Sequence, residues 1–164
     1  MRQMITRRAA LYFGAALLAA AATPAAAADR FAAAPARRIT DAQWRARLTP
    51  TAYAVLRREG TERPFASPLN KEHRRGVFSC AGCALPLFRS EWKFDSGTGW
   101  PSFFRALDAN IGRKTDTTLG MTRTEYHCAQ CLGHQGHVFP DGPAPTGLRY
   151  CNNGAALVFA PAAA

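Results

Sequence analysis

The sequence predicts a mainly β single domain with two short helices at its front. Three observations carry this. Helix capping and stop signals are confined to residues 40–60. The segments Val77-Phe78-Ser79, Arg123-Thr124-Glu125-Tyr126 and Leu148-Arg149-Tyr150-Cys151 have strand-like composition, rich in β-branched and aromatic residues. Turns rich in glycine, proline or asparagine break up the rest, as at Gly97-Thr98-Gly99 and Asn152-Asn153-Gly154. At 164 residues, of which 16 of the first 36 are alanine, the chain has room for one modest core, which excludes a fibre, a repeat array and a polytopic membrane protein.

Taken in order, residues 1–28 read as a signal peptide: basic Arg7 and Arg8, apolar Ala9 to Ala22, then Ala26-Ala27-Ala28 before Asp29. A membrane-spanning helix is the competing reading, but an apolar run of about 14 residues falls short of the ~20 a span requires. The mature protein is therefore expected in the periplasm, cleaved near Ala28 and in contact with a membrane only during export. Thr6-Arg7-Arg8 with Leu11 is similar to a twin-arginine signal, with general secretion as the alternative route. Residues 29–40, without periodicity, predict a disordered linker, and the folded domain is expected over 41–160. The net charge of +10 drops to +7 without Arg2, Arg7 and Arg8, since all 11 acidic residues lie beyond them. The remaining basic residues are scattered, a pattern that fits a solvated surface and gives no support to a nucleic-acid partner.

Thr40 with Gln43 suits a capping box, and Thr49-Pro50 starts a second helix that carries Tyr53 and Leu56 and ends at Gly60. Next come the cysteines. Cys80-Ala81-Gly82-Cys83 and Cys128-Ala129-Gln130-Cys131 are two Cys-x-x-Cys pairs with 44 residues between them. A two-residue spacer lets both sulfurs of a turn point the same way, and Gly82 offers the backbone freedom such a knuckle needs. Two knuckles facing each other form a tetrahedral four-thiolate site, closed to water, for a structural Zn²⁺. Two disulfides, an iron centre or a redox Cys-x-x-Cys are the alternatives.

The fifth cysteine, Cys151, ends a strand-like segment. It is either an inert buried thiol or a reactive one, with Arg149 and Asn153 near it in sequence. His134 and His137, between glycines and before Pro140, sit in a loop entering a strand, and His137 alternates with Phe139 on one face. They read as further metal ligands, as histidines satisfied by backbone groups, or as acid–base groups for Cys151. Trp100, behind a glycine-rich turn, is either core or the apolar wall of a ligand site.

Taken together, Thr61-Glu62-Arg63-Pro64-Phe65, the two Cys-x-x-Cys pairs, Gly99-Trp100-Pro101-Ser102-Phe103, Gly133-His134-Gln135-Gly136-His137-Val138-Phe139, Asp141-Gly142-Pro143 and Arg149-Tyr150-Cys151-Asn152-Asn153 closely resemble the methionine-R-sulfoxide reductase B family, from about Leu48 to Phe159. The resemblance implies a β-tent (Mss4-like) of two antiparallel sheets pinned by zinc, and an activity: thiol-dependent reduction of the R epimer of methionine sulfoxide in oxidised proteins. It also implies Cys151 as a low-pKa nucleophile supported by Arg149, with His137, His134 and Asn153 at the sulfoxide oxygen. Trp100 and Phe139 would form the substrate pocket, and Asp141 would orient a histidine. Many relatives have a second cysteine where this chain has Thr98, so the Cys151 sulfenic acid is expected to be resolved by an external, thioredoxin-like reductant. A monomer is expected. A tent-shaped zinc module that binds ligands without turnover is the rival reading.

Overall fold

The computed structural model describes residues 29–163. The leader assigned to residues 1–28 lies outside the described residues. Among those described, no helix is long and apolar enough to cross a membrane.

Among the described residues, nine strands form two antiparallel sheets. The smaller has β1 (Gly76–Cys80) between β2 (Pro86–Arg89) and β9 (Leu157–Pro161). The larger runs in the order β3 (Lys93–Phe94), β4 (Ser102–Phe103), β8 (Arg149–Asn152), β7 (His134–Phe139), β6 (Arg123–Cys128) and β5 (Ile111–Asp116). The expected tent of two antiparallel sheets is therefore the architecture observed. Aromatic side chains from both sheets meet inside it. Phe88 stacks on Phe103 at 4.1 Å, Phe78 meets Phe103 edge-on at 5.0 Å, and Tyr126 meets Tyr150 at 5.4 Å. All five are at most 2% exposed. Alternation along β8 turns Tyr150 and Asn152 into this core, which leaves Arg149 and Cys151 on the opposite face.

Both helices form where their caps place them. In α1 (Asp41–Arg47) the Gln43 N–H donates to Thr40 Oγ1 and the Thr40 N–H to Gln43 Oε1, a complete capping box. α2 (Pro50–Arg58) has Thr49 as its N-cap and buries Val55 and Leu56, packing against β7. It ends one residue earlier than Gly60 suggests, because Glu59 itself takes the left-handed conformation (φ 55°).

Residues 29–40 differ from the linker expected of them. Pro35–Arg38 forms a 3₁₀ turn with Ala36 buried, and Arg37 donates to the carbonyl oxygens of Ala129 (2.7 Å) and Gln130 (3.2 Å). Composition misses this because one arginine, not an apolar period, anchors the segment: it satisfies carbonyls that the second knuckle leaves unpaired.

Candidate active site

The two knuckles end strands of different sheets, Cys80 at the end of β1 and Cys128 at the end of β6. Their turns close identically. The Ala84 N–H donates to the Cys80 carbonyl at 2.8 Å and the Leu132 N–H to the Cys128 carbonyl at 2.9 Å. Ala84 (φ 58°) and Leu132 (φ 61°) take the left-handed conformation, whereas Gly82, credited from sequence with the backbone freedom the knuckle needs, does not. Neither residue type advertises that geometry, so only the turn's hydrogen bonding reveals it.

All four ligand sulfurs lie within 4.8 Å of one another, with Cys80–Cys131 at 3.6 Å and Cys83–Cys128 at 3.4 Å. A tetrahedron with bonds of ~2.3 Å has edges of about 3.8 Å, so the cluster is already near the size that one metal ion requires. Hydrogen bonds among the four sulfurs push the Cys80 and Cys131 thiols up and the Cys83 and Cys128 thiols down. Without a cation the cluster therefore keeps protons, and a metal is what would let all four sulfurs ionise together.

Cys151 sits at the other working face of the large sheet. β8 lies between β4 and β7, and the register sets Cys151 opposite His137 on β7 and Ser102 on β4, with Arg149 opposite Phe139. Cross-strand partners share a face, so Cys151, His137, Phe139 and Arg149 are brought together by pairing alone. β7 can lie this close because residue 136 is glycine: a Cβ there would stand 1.9 Å from the Cys151 carbonyl oxygen. A cavity of about 180 Å³ opens on this face, lined by Cys151, His137, Phe139, Trp100, Asn153 and Arg123 among others. A larger open cleft of about 640 Å³ lies beside Glu62 and contains neither Cys151 nor a histidine.

Trp100 is placed by a segment distant in sequence. Its Nε1–H donates to the Glu62 carbonyl at 3.1 Å, the Glu62 N–H donates to Asn153 Oδ1 at 3.0 Å, and the Glu62 carboxylate accepts from the N–H groups of Gly154 and Ala155. Glu62 thus ties the indole wall to the corner after Cys151. Asn153 lines the cavity, but its amide also bridges Glu62 and the Gln135 carbonyl (3.0 Å), so much of its capacity holds the corner together.

The charged groups differ from the expected arrangement. Asp141 orients no histidine; both its oxygens pair with Arg149 at 2.8 Å, and the Arg149 guanidinium covers the Phe139 ring at 4.4 Å. The carboxylate on His137 is Asp116, at the end of β5, with Oδ2 2.7 Å from Nε2. Asp116 is held in turn by the Thr118 N–H (2.9 Å), the Thr118 hydroxyl (2.6 Å) and Arg123 (2.7 Å), so its pKa is far below the usual range. His134 does not line the cavity. It is 3% exposed behind His137, ring centroids 5.5 Å apart, with Nδ1 2.7 Å from Glu125 Oε1. Its Nε2 has no partner among the described residues. Burial works to raise Glu125, but hydrogen bonds from His127 and His134 overrule it and hold it at about 2.

These surroundings set the protonation of the site. Burial pushes the Cys151 thiol above its ordinary value, and the Arg149 charge and the Thr98 hydroxyl only partly oppose it. The direction is opposite to the lowered thiol pKa expected from sequence: burial outweighs the Arg149 charge, and Asp141, paired with that arginine, adds a smaller push upward. Burial also pushes His137 down, with Arg123 reinforcing and Asp116 opposing. His137 is therefore neutral at pH 7, with Nε2–H given to Asp116 and Nδ1 left to accept a proton.

Two comparisons with known proteins accord with this fold. The SelR domain model matches residues 48–161. The peptide methionine sulfoxide reductase MsrB of Thiobacillus denitrificans is 59% identical over 123 residues, covering 74% of this chain and 93% of that protein. Those of Bradyrhizobium diazoefficiens and Agrobacterium fabrum are each 54% identical over 123 residues, covering 74% of this chain and 88% and 91% of the respective relatives.

Proposed function

This chain belongs to the SelR domain family, and from that premise we propose that it reduces the R epimer of methionine sulfoxide in proteins through Cys151. The observation that carries this reading is the register of β7 and β8, which sets a sulfur and a proton-accepting imidazole face to face in a cavity walled by an indole. The S-methyl group would pack against Trp100, and Phe139 under Arg149 would close the opposite wall.

The Cys151 thiol gives its proton to His137 Nδ1, and the proton passes to the sulfoxide oxygen, which makes the substrate sulfur electrophilic. Cys151 sulfur attacks, the oxygen ends on Cys151 as sulfenic acid, and the thioether leaves reduced. An external thiol then forms a mixed disulfide with Cys151 and releases water; a second thiol frees Cys151. Four of the five cysteines are committed to the cluster and Thr98 lies beside Cys151, so the donor must come from outside the chain; a thioredoxin-like protein fits. His134 acts from behind, held by Glu125, and Asn153 keeps the corner and one amide N–H toward the oxygen.

We assign the cluster to one structural Zn²⁺ held by Cys80, Cys83, Cys128 and Cys131: four sulfur donors at tetrahedral separation suit it, and a closed site takes no part in the reaction. The leader supports export, with a monomer working in the periplasm. Dabsylated methionine sulfoxide, each epimer assayed separately with a small dithiol, tests the activity: the R epimer is consumed and the S epimer is not. Turnover of the S epimer alone would refute it.

Asp116 carries its own prediction. Asp116→Asn removes the charge that favours imidazolium, so His137 moves further down and the acid limb of the kcat/KM profile shifts to lower pH. Without the fixed tautomer, kcat falls on the order of 10-fold to 100-fold. A loss of activity with an unmoved acid limb would reduce Asp116 to a structural part of β5.

A further inference from the structure

Trp100 also forms a wall of a second cavity, of about 190 Å³, which includes Phe65, Phe94, Gly99, Pro101, Lys71 and Lys93 and contains none of the reacting groups. Phe65 stands out there. It is 73% exposed, an unusual cost for a phenyl ring, and its backbone is left-handed (φ 63°), a conformation that bulky residues rarely hold. The fold enforces that conformation. The Phe65 N–H donates to the Gly99 carbonyl at 2.7 Å, and Asn70 Nδ2 donates to the same oxygen at 2.9 Å. The ring lies over Gly99 so closely that a Cβ there would stand 2.9 Å from it. Strained and exposed aromatic residues beside a site point to a ligand that covers them.

We propose that this second cavity seats a large apolar side chain, aromatic or branched aliphatic, that flanks the oxidised methionine in the substrate polypeptide. The inference rests on the reductase reading and names the substrate feature that reading leaves open. Trp100 lines both cavities, so a chain with its sulfoxide in one passes Trp100 to reach the other. An extended chain rises about 3.3 Å per residue, which puts the neighbour one or two positions away. The charged groups facing the cavity are Lys71, Lys93, His73 and Asp95. Lys93 Nζ is already bound to the Asn70 carbonyl at 2.8 Å and Asp95 Oδ1 to the Gly97 N–H at 2.9 Å. Lys71 and His73 are left at the rim, where they suit the substrate's backbone carbonyls, while the aromatic surface of Phe65 and Trp100 receives the side chain.

Alanine-based peptides with one central methionine-R-sulfoxide, and one phenylalanine placed one or two positions to either side, test this. In at least one position phenylalanine raises kcat/KM about tenfold over the all-alanine peptide. Phe65→Ala cancels that gain and Phe65→Tyr keeps it, while both variants turn over free methionine-R-sulfoxide as the parent does, which also shows that they fold. The proposal is overturned if no position gains, if the gain survives in Phe65→Ala, or if glutamate at the favoured position outperforms phenylalanine, since Lys71 and Lys93 would then be reading the flank. Failure of the reductase reading is separate: the parent protein would not reduce the free sulfoxide at all.

Discussion

Stripping the metal from the purified protein with a strong chelator unfolds it, with loss of near-ultraviolet dichroism and of activity together. Among the described residues the four-cysteine cluster brings together the ends of β1 and β6, strands of different sheets, so a metal held there would tie the two sheets. Structural zinc sites in small peptides contribute on the order of 10–16 kcal/mol, while a domain of this size has a net stability of about 5–15 kcal/mol. A metal term of that size is comparable to the whole margin. Cys128→Ser should behave as the chelated protein does, and re-addition of Zn²⁺ should restore the parent but not the variant. A metal-free protein with an unchanged spectrum would refute the clamp.

Cys151→Ser has the opposite signature: intact fold, lost chemistry. Cys151 is half-buried and makes no contact with the cluster, and serine is nearly isosteric, so thermal unfolding moves little. Reduction of the sulfoxide falls by at least about 10³-fold, because a neutral hydroxyl cannot take up the oxygen as sulfur does. A module that only binds would lose nothing on this change. The raised thiol pKa sharpens the expectation: the resting enzyme holds a thiol, so alkylation of Cys151 is slow at neutral pH and accelerates only as pH climbs past the ordinary thiol range.

Much of the site was legible in sequence because its parts are local. Spacing alone pairs Cys80 with Cys83 and Cys128 with Cys131, and strand alternation alone puts His137 and Phe139 on one face. The misses are long-range or contextual. Asp116 reaches His137 from 21 residues away through β5 and β6, whereas Asp141, four residues from His137, turns instead to Arg149. Glu62 and Glu125 are unremarkable acids until the fold sets the first under the corner at Asn153 and the second behind His134. Proximity of Arg149 in sequence suggested a thiolate, but burial and the Asp141 pair decide the matter the other way. Left-handed Ala84 and Leu132 carry no compositional mark, and the anchoring of residues 29–40 depends on a single arginine.

In the proposed reaction, oxygen moves from the substrate sulfur to Cys151 without any other thiol taking part. A single-turnover experiment without reductant, with peptide mapping by mass spectrometry, measures this directly. The expected result is one equivalent of methionine per chain and one added oxygen, found on Cys151 alone. Product formed with Cys151 unmodified, or an added oxygen found among Cys80, Cys83, Cys128 and Cys131, would contradict it.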